Sequence, residues 1–135
     1  MANFVFGDVQ EIVASHLGNT YRFYPKANET FNIDMGGIRT NDDANQVTSD
    51  GQLMAQKNRV RASIDGPIAG DTITNAELRA LNIMSASPVP ATWQIALISG
   101  AIYKGVGMPV GDIQYDSNAG TINLKVAFNR ELEKI

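Results

Sequence analysis

The stretch TINLKVAFN, residues 121–129, alternates polar and apolar side chains along most of its length. Successive side chains of a strand point to opposite faces, so this period of two places its isoleucine, leucine, valine and phenylalanine together on one face. Residues 117–120 (SNAG) before it are turn formers, and residues 112–116 also alternate. The sequence therefore predicts a C-terminal hairpin in an antiparallel sheet, with one face in the core and the other in water.

Similar patterns predict the other strands. Alternation over residues 30–35 and 59–65 indicates two of them, and shorter segments at 21–24, 93–99 and 101–103 indicate three more. Residues 9–17 fit either a strand or a short helix. The glycine-rich stretch 100–111 lacks the strand–glycine–helix order of a phosphate-binding loop, so its glycines are predicted to permit a tight bend or a bulge between strands.

One helix is expected. Thr74 and Glu77 have the spacing of a capping box, in which each side chain satisfies the backbone N–H of the other residue. Leu78 and Leu81 follow at helical spacing, and the segment 87–90 (SPVP) prevents continuation. The predicted fold is mainly β, a sandwich or barrel of two antiparallel sheets with one packed α-helix and a long loop or hairpin arm.

Composition limits the functions open to this chain. Its 135 residues, 44% hydrophobic and 19% charged, suit a single domain over residues 1–135. There is no cysteine and one histidine, His16, which excludes disulfide scaffolds, cysteine-bound metals and multi-histidine metal sites. We expect His16 to be a surface or turn residue, and we expect no catalytic residue, cofactor or metal. The net charge of −3 also disfavours tight, sequence-independent binding of nucleic acid.

Residues 36–58, called the arm below, break the strand pattern with a long polar stretch. Connections longer than about 12–15 residues are uncommon in compact domains unless they are functional or disordered. The arm is therefore either a mobile surface loop or an extended hairpin that packs on a neighbouring subunit. In the second interpretation, Val47, Leu53 and Met54 are its buried contacts. The residues assigned to the subunit interface are Arg39, Asp42, Asp43, Val47, Leu53, Met54, Arg59 and Arg61.

Two of those residues, Arg59 and Arg61, are expected on the polar face of one strand. Each can pair with a carboxylate of a neighbouring strand or of a neighbouring subunit, and the sequence leaves both possibilities open.

The order of elements and several short motifs resemble a known family. The turn at Gly18-Asn19, the pair Gly36-Gly37 that opens the arm, and RVRA at 59–62 precede the capped helix, and a C-terminal run with YKG, GDIQYD and GT closes the chain. This pattern resembles the tail tube protein of long-tailed bacteriophages, most closely the short versions in contractile-tailed, Mu-like phages. The resemblance covers nearly the whole chain.

The resemblance implies a structural role without catalysis. Six copies would form a ring, and rings would stack into a hollow tube through which DNA and the tape-measure protein pass without specific binding. The implied partners are other copies of the chain and the tail sheath, baseplate and tail terminator proteins. The implied location is the phage tail in the virion, after assembly in the cytoplasm of the bacterial host.

Carboxylates facing the lumen would repel DNA and let it slide. Asp34, Asp65 and Asp112 are the candidates, because each is expected on the polar face of a strand. Reversal of these charges to lysine is expected to raise DNA retention in the tube. Unchanged ejection kinetics and unchanged salt dependence would contradict the assignment.

Two other classes of protein remain open. One is a related ring protein: a tail terminator, a baseplate component or a type VI secretion tube subunit. The other is a small β-barrel ligand-binding module, which predicts a concave pocket with convergent polar groups inside the monomer.

Overall fold

The structure of the chain is a computed structural model that describes residues 4–41 and 46–135. Within these residues it contains eleven β-strands and one α-helix. In chain order they are β1 (Val9–His16), β2 (Asn19–Phe23), β3 (Asn32–Asp34), β4 (Gly37–Thr40), β5 (Lys57–Val60), β6 (Ser63–Ala69), α1 (Ala76–Ala86), β7 (Ala91–Leu97), β8 (Ile102–Pro109), β9 (Tyr115–Asp116), β10 (Thr121–Phe128) and β11 (Glu133–Lys134).

Most strands form one antiparallel sheet in the order β2-β1-β7-β8-β10-β6-β3, with β9 added beside β10 and β11 beside β8. The chain that leaves β2 returns to β6: Pro25 bridges Ile68, and the N–H of Ala69 donates to the carbonyl of Tyr24 over 2.8 Å. The sheet therefore closes on itself around one core. The predicted mainly β fold with antiparallel sheets and one packed helix is confirmed.

Strand β8 makes the corner at which the sheet turns from β7 to β10. Gly107 is paired with Ala91 of β7 and also with Phe128 of β10. A side chain on Gly107 would overlap the carbonyl oxygen of Ala127, so the close approach of the two backbones requires glycine. The glycine-rich stretch, predicted to permit a bend or a bulge between strands, is thus largely a strand, within which Gly107 permits a close backbone approach.

The core is filled by one aromatic pair and many branched aliphatic side chains. The rings of Phe23 and Trp93 stack with centroids 6.0 Å apart, and the indole N–H of Trp93 donates to the carbonyl of Gly107 over 3.0 Å. The other large side chains that are fully buried are Ile12, Ile64, Ile68, Leu81, Met84, Ile95, Ile122, Leu124 and Val126. Leu81 and Met84 come from α1, so the helix packs against the sheet by its apolar face.

The helix forms where it is predicted, but the predicted capping box is wrong. Asn75 precedes α1 in the left-handed conformation and makes no side-chain cap. The hydroxyl of Thr74 donates to the carboxylate of Asp71 over 3.0 Å, and that carboxylate also accepts the N–H of Ile73. Glu77 accepts the N–H of Asp71 over 3.1 Å. Asp71, and not Thr74, therefore accepts the backbone N–H groups of Ile73 and Thr74 ahead of the helix.

The predicted strand over residues 59–65 is two strands. β5 ends at Val60 and β6 begins at Ser63, while Ala62 between them is buried. The N–H of Ala62 donates to the carbonyl of Arg130, and the carbonyl of Ala62 accepts the N–H of Phe128. Because of this pairing, the chain enters the barrel at Ala62. The segment predicted as one strand therefore begins in the two-stranded sheet, as β5, and continues in the large sheet, as β6.

The remaining differences between the predicted and the observed strands concern mainly where the strands begin and end. The ambiguous segment 9–17 is strand β1, the predicted strand 101–103 continues to residue 109 as β8, and the predicted strand 112–116 is limited to β9. The C-terminal hairpin forms through pairs of β9 with β10.

The expectation of a surface position for His16 is wrong. His16 ends β1 beside the turn, but it is only 2% exposed. Its Nε2 lies 3.1 Å from the carbonyl oxygen of Val89, which follows the helix. The imidazole therefore joins the β1–β2 turn to the segment before β7, a long-range contact that residues near His16 in the sequence do not reveal.

Candidate assembly surface

The described part of the arm is a hairpin. β4 and β5 pair as a separate two-stranded antiparallel sheet, and the N–H of Asn41 extends the pairing to the carbonyl of Gln56 over 2.8 Å. At the tip, Val47 and Leu53 form a bridge. Of the two interpretations of the arm, the hairpin conformation agrees with these hydrogen bonds.

A tight connection holds the base of the arm to the barrel. Gly36 has a φ of +75°, and a side chain there would come within 2.7 Å of the backbone nitrogen of Ala62. Only glycine fits both the left-handed conformation and this approach. The N–H of Leu132 donates to the carbonyl of Met35 over 3.2 Å, so the arm leaves the barrel from a fixed point.

The arm exposes apolar side chains along its length. Ile38 is 61% exposed, Val47 53%, Leu53 74% and Met54 56%. An isolated two-stranded hairpin is marginally stable in water because it has no core to bury such side chains. These exposed residues include all three that the sequence assigns to a contact with a neighbour.

Arg39, which was predicted at the subunit interface, and Asp34, which was predicted to face the lumen, form an ion pair. A guanidinium N–H of Arg39 donates to the carboxylate of Asp34, which also accepts the N–H of Gly36 over 2.9 Å. The hydrogen bond from Arg39 is the main cause of a lowered pKa of Asp34, and the same contact raises the pKa of Arg39. The charge of Asp34 is therefore compensated within the chain, which weakens its candidacy as a lumen carboxylate.

The variant R39Q is expected to raise the pKa of Asp34 back toward its ordinary value. A lowered pKa in the folded state means that the pair stabilises the arm base above the ordinary pKa and loses this effect as the pH falls through the lowered value. An NMR titration of the Asp34 carboxyl carbon measures the change. R59Q is the control, since Arg59 does not contact Asp34. Equal Asp34 midpoints in R39Q and wild type would contradict the pairing.

Arg59 and Arg61 do not share a strand, which corrects the sequence-based assignment. Arg59 lies in β5, 3.6 Å from the carboxylate of Glu131, with both side chains exposed to solvent. Exposed pairs of this kind contribute little to stability. Arg61 lies between β5 and β6 and is exposed. Of the two alternatives for Arg59, the structure shows a pair within the chain.

The other charged residues that were assigned to the lumen or to the subunit interface lie in different parts of the chain. Asp65 is half-buried in β6, directly opposite Lys125 of β10 and Asn32 of β3. Asp112 is exposed in the connection before β9, so the expectation that it lies on a strand is wrong. The predicted interface residues Asp42 and Asp43 lie outside the described residues.

A partly apolar surface that the sequence interpretation missed lies where the first described residues and the last residues of the chain meet the β7–β8 turn. Two adjoining depressions of about 410 and 240 Å³ share Val5 and Ser99. We call them together the terminal groove, lined among others by Val5, Phe6, Ile98, Ser99, Lys134 and Ile135. Phe4 beside it is 90% exposed and Phe6 is 93% exposed. The signal in the sequence is the apolar run at residues 4–6.

The centre of the barrel is occupied by the buried core side chains, and the depressions found lie at its surface. Among residues 4–41 and 46–135, no group of three or more histidine, aspartate or glutamate side chains is arranged to hold a metal ion. In the same ranges, no helix has the length and apolar character that crossing a membrane requires.

No protein-family model and no curated protein matches this chain.

Proposed function

We propose that this chain is a structural subunit without catalytic activity, the tail tube protein of a contractile-tailed, Mu-like bacteriophage. Copies form hexameric rings, and the rings stack into a conduit for DNA during ejection. The observation that carries this proposal is the hairpin arm: a separate two-stranded sheet that leaves the barrel and exposes Ile38, Val47, Leu53 and Met54.

An arm of this kind favours self-assembly on physical grounds. Exposed apolar side chains on a hairpin with two open edges are an aggregation risk unless another surface covers them. A copy of the same chain is always present at the required stoichiometry, and a head-to-tail contact between different surfaces generates rings or filaments.

The charge of the chain supports the role of a conduit. A net charge of −3 on each subunit accumulates when many copies line a tube, and like charges keep DNA from binding to the wall. Asp65 is the remaining lumen candidate, because Asp34 is paired with Arg39 and Asp112 lies outside the strands. The proposed partners remain the sheath, baseplate, tail terminator and tape-measure proteins, and the proposed location is the virion.

Negative-stain electron microscopy of the purified protein tests the proposal. Hollow tubes with six-fold symmetry are the expected result. Single closed rings would instead favour the related ring proteins, namely a tail terminator or a baseplate component. A monodisperse monomer at all concentrations would contradict the assembly role altogether.

A further inference from the structure

The chain contains two Asp-Gly bonds, Asp50–Gly51 and Asp65–Gly66, and the fold places them in opposite environments. An aspartate followed by glycine can convert to isoaspartate, because glycine has no side chain to hinder attack of its nitrogen on the aspartate carboxyl group. We propose that Asp50–Gly51, at the tip of the arm, is a site of spontaneous isoaspartate formation in the folded chain, whereas Asp65–Gly66 is protected. This chemistry belongs to the single chain and does not depend on the proposed function.

The reaction needs only the chain itself and water. The backbone nitrogen of Gly51 forms a bond to the carboxyl carbon of Asp50, its proton and the carboxyl hydroxyl group leave as water, and a cyclic succinimide remains. Hydrolysis adds the water back. Opening at one carbonyl restores aspartate, and opening at the other carries the backbone through the side-chain carbon, which is isoaspartate. Ring closure therefore requires that the Asp-Gly peptide can turn toward the side chain.

The peptide between Asp50 and Gly51 can make this movement at low cost. Both residues are exposed, Gly51 has a φ of +89°, and a side chain built on Gly51 would meet no other atom within 4 Å. The N–H of Gly51 donates to the carbonyl of Thr48 over 2.9 Å, and water can replace this hydrogen bond at an exposed turn. Residues 48–52 contribute no side chain to the buried core, so the turn opens without a loss of packing there.

The peptide between Asp65 and Gly66 is fixed in the large sheet. Asp65 pairs with Lys125 of β10, and Gly66 pairs with Leu124. Gly66 is buried, and the ring of Phe31 packs so closely over it that a side chain on Gly66 would overlap the ring. Rotation of this peptide would break the pairing of β6 with β10. Core strands open only at a free energy that approaches that of global unfolding, so this bond should react far more slowly.

Thr48 limits the rate at the tip. Its N–H donates to the carbonyl of Gln52 over 2.8 Å, and its hydroxyl oxygen accepts the N–H of Gln52 over 3.0 Å. The hydroxyl also donates to the carboxylate of Asp50, which is the main cause of the lowered pKa of Asp50. The backbone nitrogen attacks the neutral carboxyl group, because a carboxylate is a poor electrophile. Loss of the hydroxyl should therefore increase the rate of isoaspartate formation.

Peptide mapping of protein aged at neutral pH tests the site. An endoproteinase that cleaves before aspartate but not before isoaspartate reports the loss of cleavage at Asp50 and at Asp65 in the same sample. In the folded chain, the loss at Asp50 is expected to be at least about tenfold faster than the loss at Asp65. In urea the two rates should become similar, since both bonds then lie in an unfolded chain. No loss at Asp50, equal rates in the folded chain, or the same difference in urea would overturn the proposal.

The variant T48V tests the restraint by Thr48. Valine keeps the β-branched shape and removes the hydroxyl, so the loss of cleavage at Asp50 is expected to become at least about twofold faster. T40V is the matched control in the same arm, because the hydroxyl of Thr40 accepts a hydrogen bond from the ammonium group of Lys57 over 2.8 Å. Equal rates at Asp50 in T48V and T40V would contradict the role of Thr48.

The expected consequence for assembly does rest on the proposed function. Isoaspartate lengthens the backbone of the tip turn beside Leu53, so aged protein is expected to form fewer tubes as its isoaspartate fraction rises. D50E is the control, because a glutamate would have to close a larger and less favoured ring, and aged D50E should assemble like fresh D50E. Unimpaired tubes from protein that contains isoaspartate would refute this consequence. Absence of tubes from fresh wild-type protein would instead refute the tail tube function, and the peptide map would still decide the modification site.

Discussion

A chain in which residues 40–57 are replaced by the dipeptide Asn-Gly is expected to fold normally and to lose self-assembly completely. Arg39 and Asn58 are directly paired, so a two-residue turn between them keeps the register of the remaining hairpin. The Arg39–Asp34 ion pair at the base also remains.

Folding should survive because the described residues of the arm contribute no side chain to the core. The buried hydrophobic cluster contains residues from the barrel strands, the helix, the segment after β10 and the link at Ala62, and none from residues 40–41 or 46–57. The midpoint of urea unfolding is therefore expected to stay close to that of the wild type. Assembly should fail because the deletion removes Val47, Leu53 and Met54 together.

A pair of point variants separates the loss of these contacts from a loss of chain length. L53D places a charge on the arm tip, and I73D places the same charge on a loop residue that is 95% exposed. Electron microscopy should show tubes for I73D and none for L53D or the deletion. Normal tubes from the deletion variant would refute the role of the arm.

The second large effect is expected from W93A, which should remove roughly half or more of the stability of the domain. Removal of a buried tryptophan typically costs about 3–5 kcal/mol through lost burial and the cavity that remains. The carbonyl of Gly107 also loses its indole donor, which adds a desolvation cost. Domains of this size are stable by only about 5–15 kcal/mol.

Trp93 has this effect because of its position. It is fully buried, stacks on Phe23, and pairs through its backbone with Ala14 of β1 and Gly105 of β8. Urea unfolding followed by far-UV circular dichroism measures the loss, since the variant has no tryptophan left for fluorescence. I83A on the exposed side of α1 should change stability by no more than about 0.5 kcal/mol. Equal midpoints for W93A and wild type would contradict this view of the core.

Local patterns in the sequence were sufficient for the class of fold and for most elements. The alternation of β10 is decided by neighbours in the chain, and it holds in the structure. The helix also follows from the spacing of Leu78 and Leu81 and from the prolines that stop it. In both elements the side chains that define the pattern are buried or pack partly buried against the core.

Predictions from local sequence patterns were wrong where contacts with residues far along the chain determine the structure. Ala62 interrupts the strand predicted over 59–65 because it pairs with the chain at Arg130 and Phe128. His16 is buried, and its Nε2 lies 3.1 Å from the carbonyl oxygen of Val89, a residue far along the chain. Asp34 looked like a free carboxylate in its strand, yet the turn at Gly36 and the start of the arm bring Arg39 against it.

The sequence by itself determined a single mainly β chain, its C-terminal hairpin, its helix and the unusual polar arm, since each follows from periodicity or composition over a few consecutive residues. Tertiary structure alone decided the closure of the sheet through Pro25 and Ile68, the corner at Gly107 and the terminal groove. These features join segments that lie far apart in the chain. No local pattern encodes them, because the free energy that selects them comes from packing between those segments.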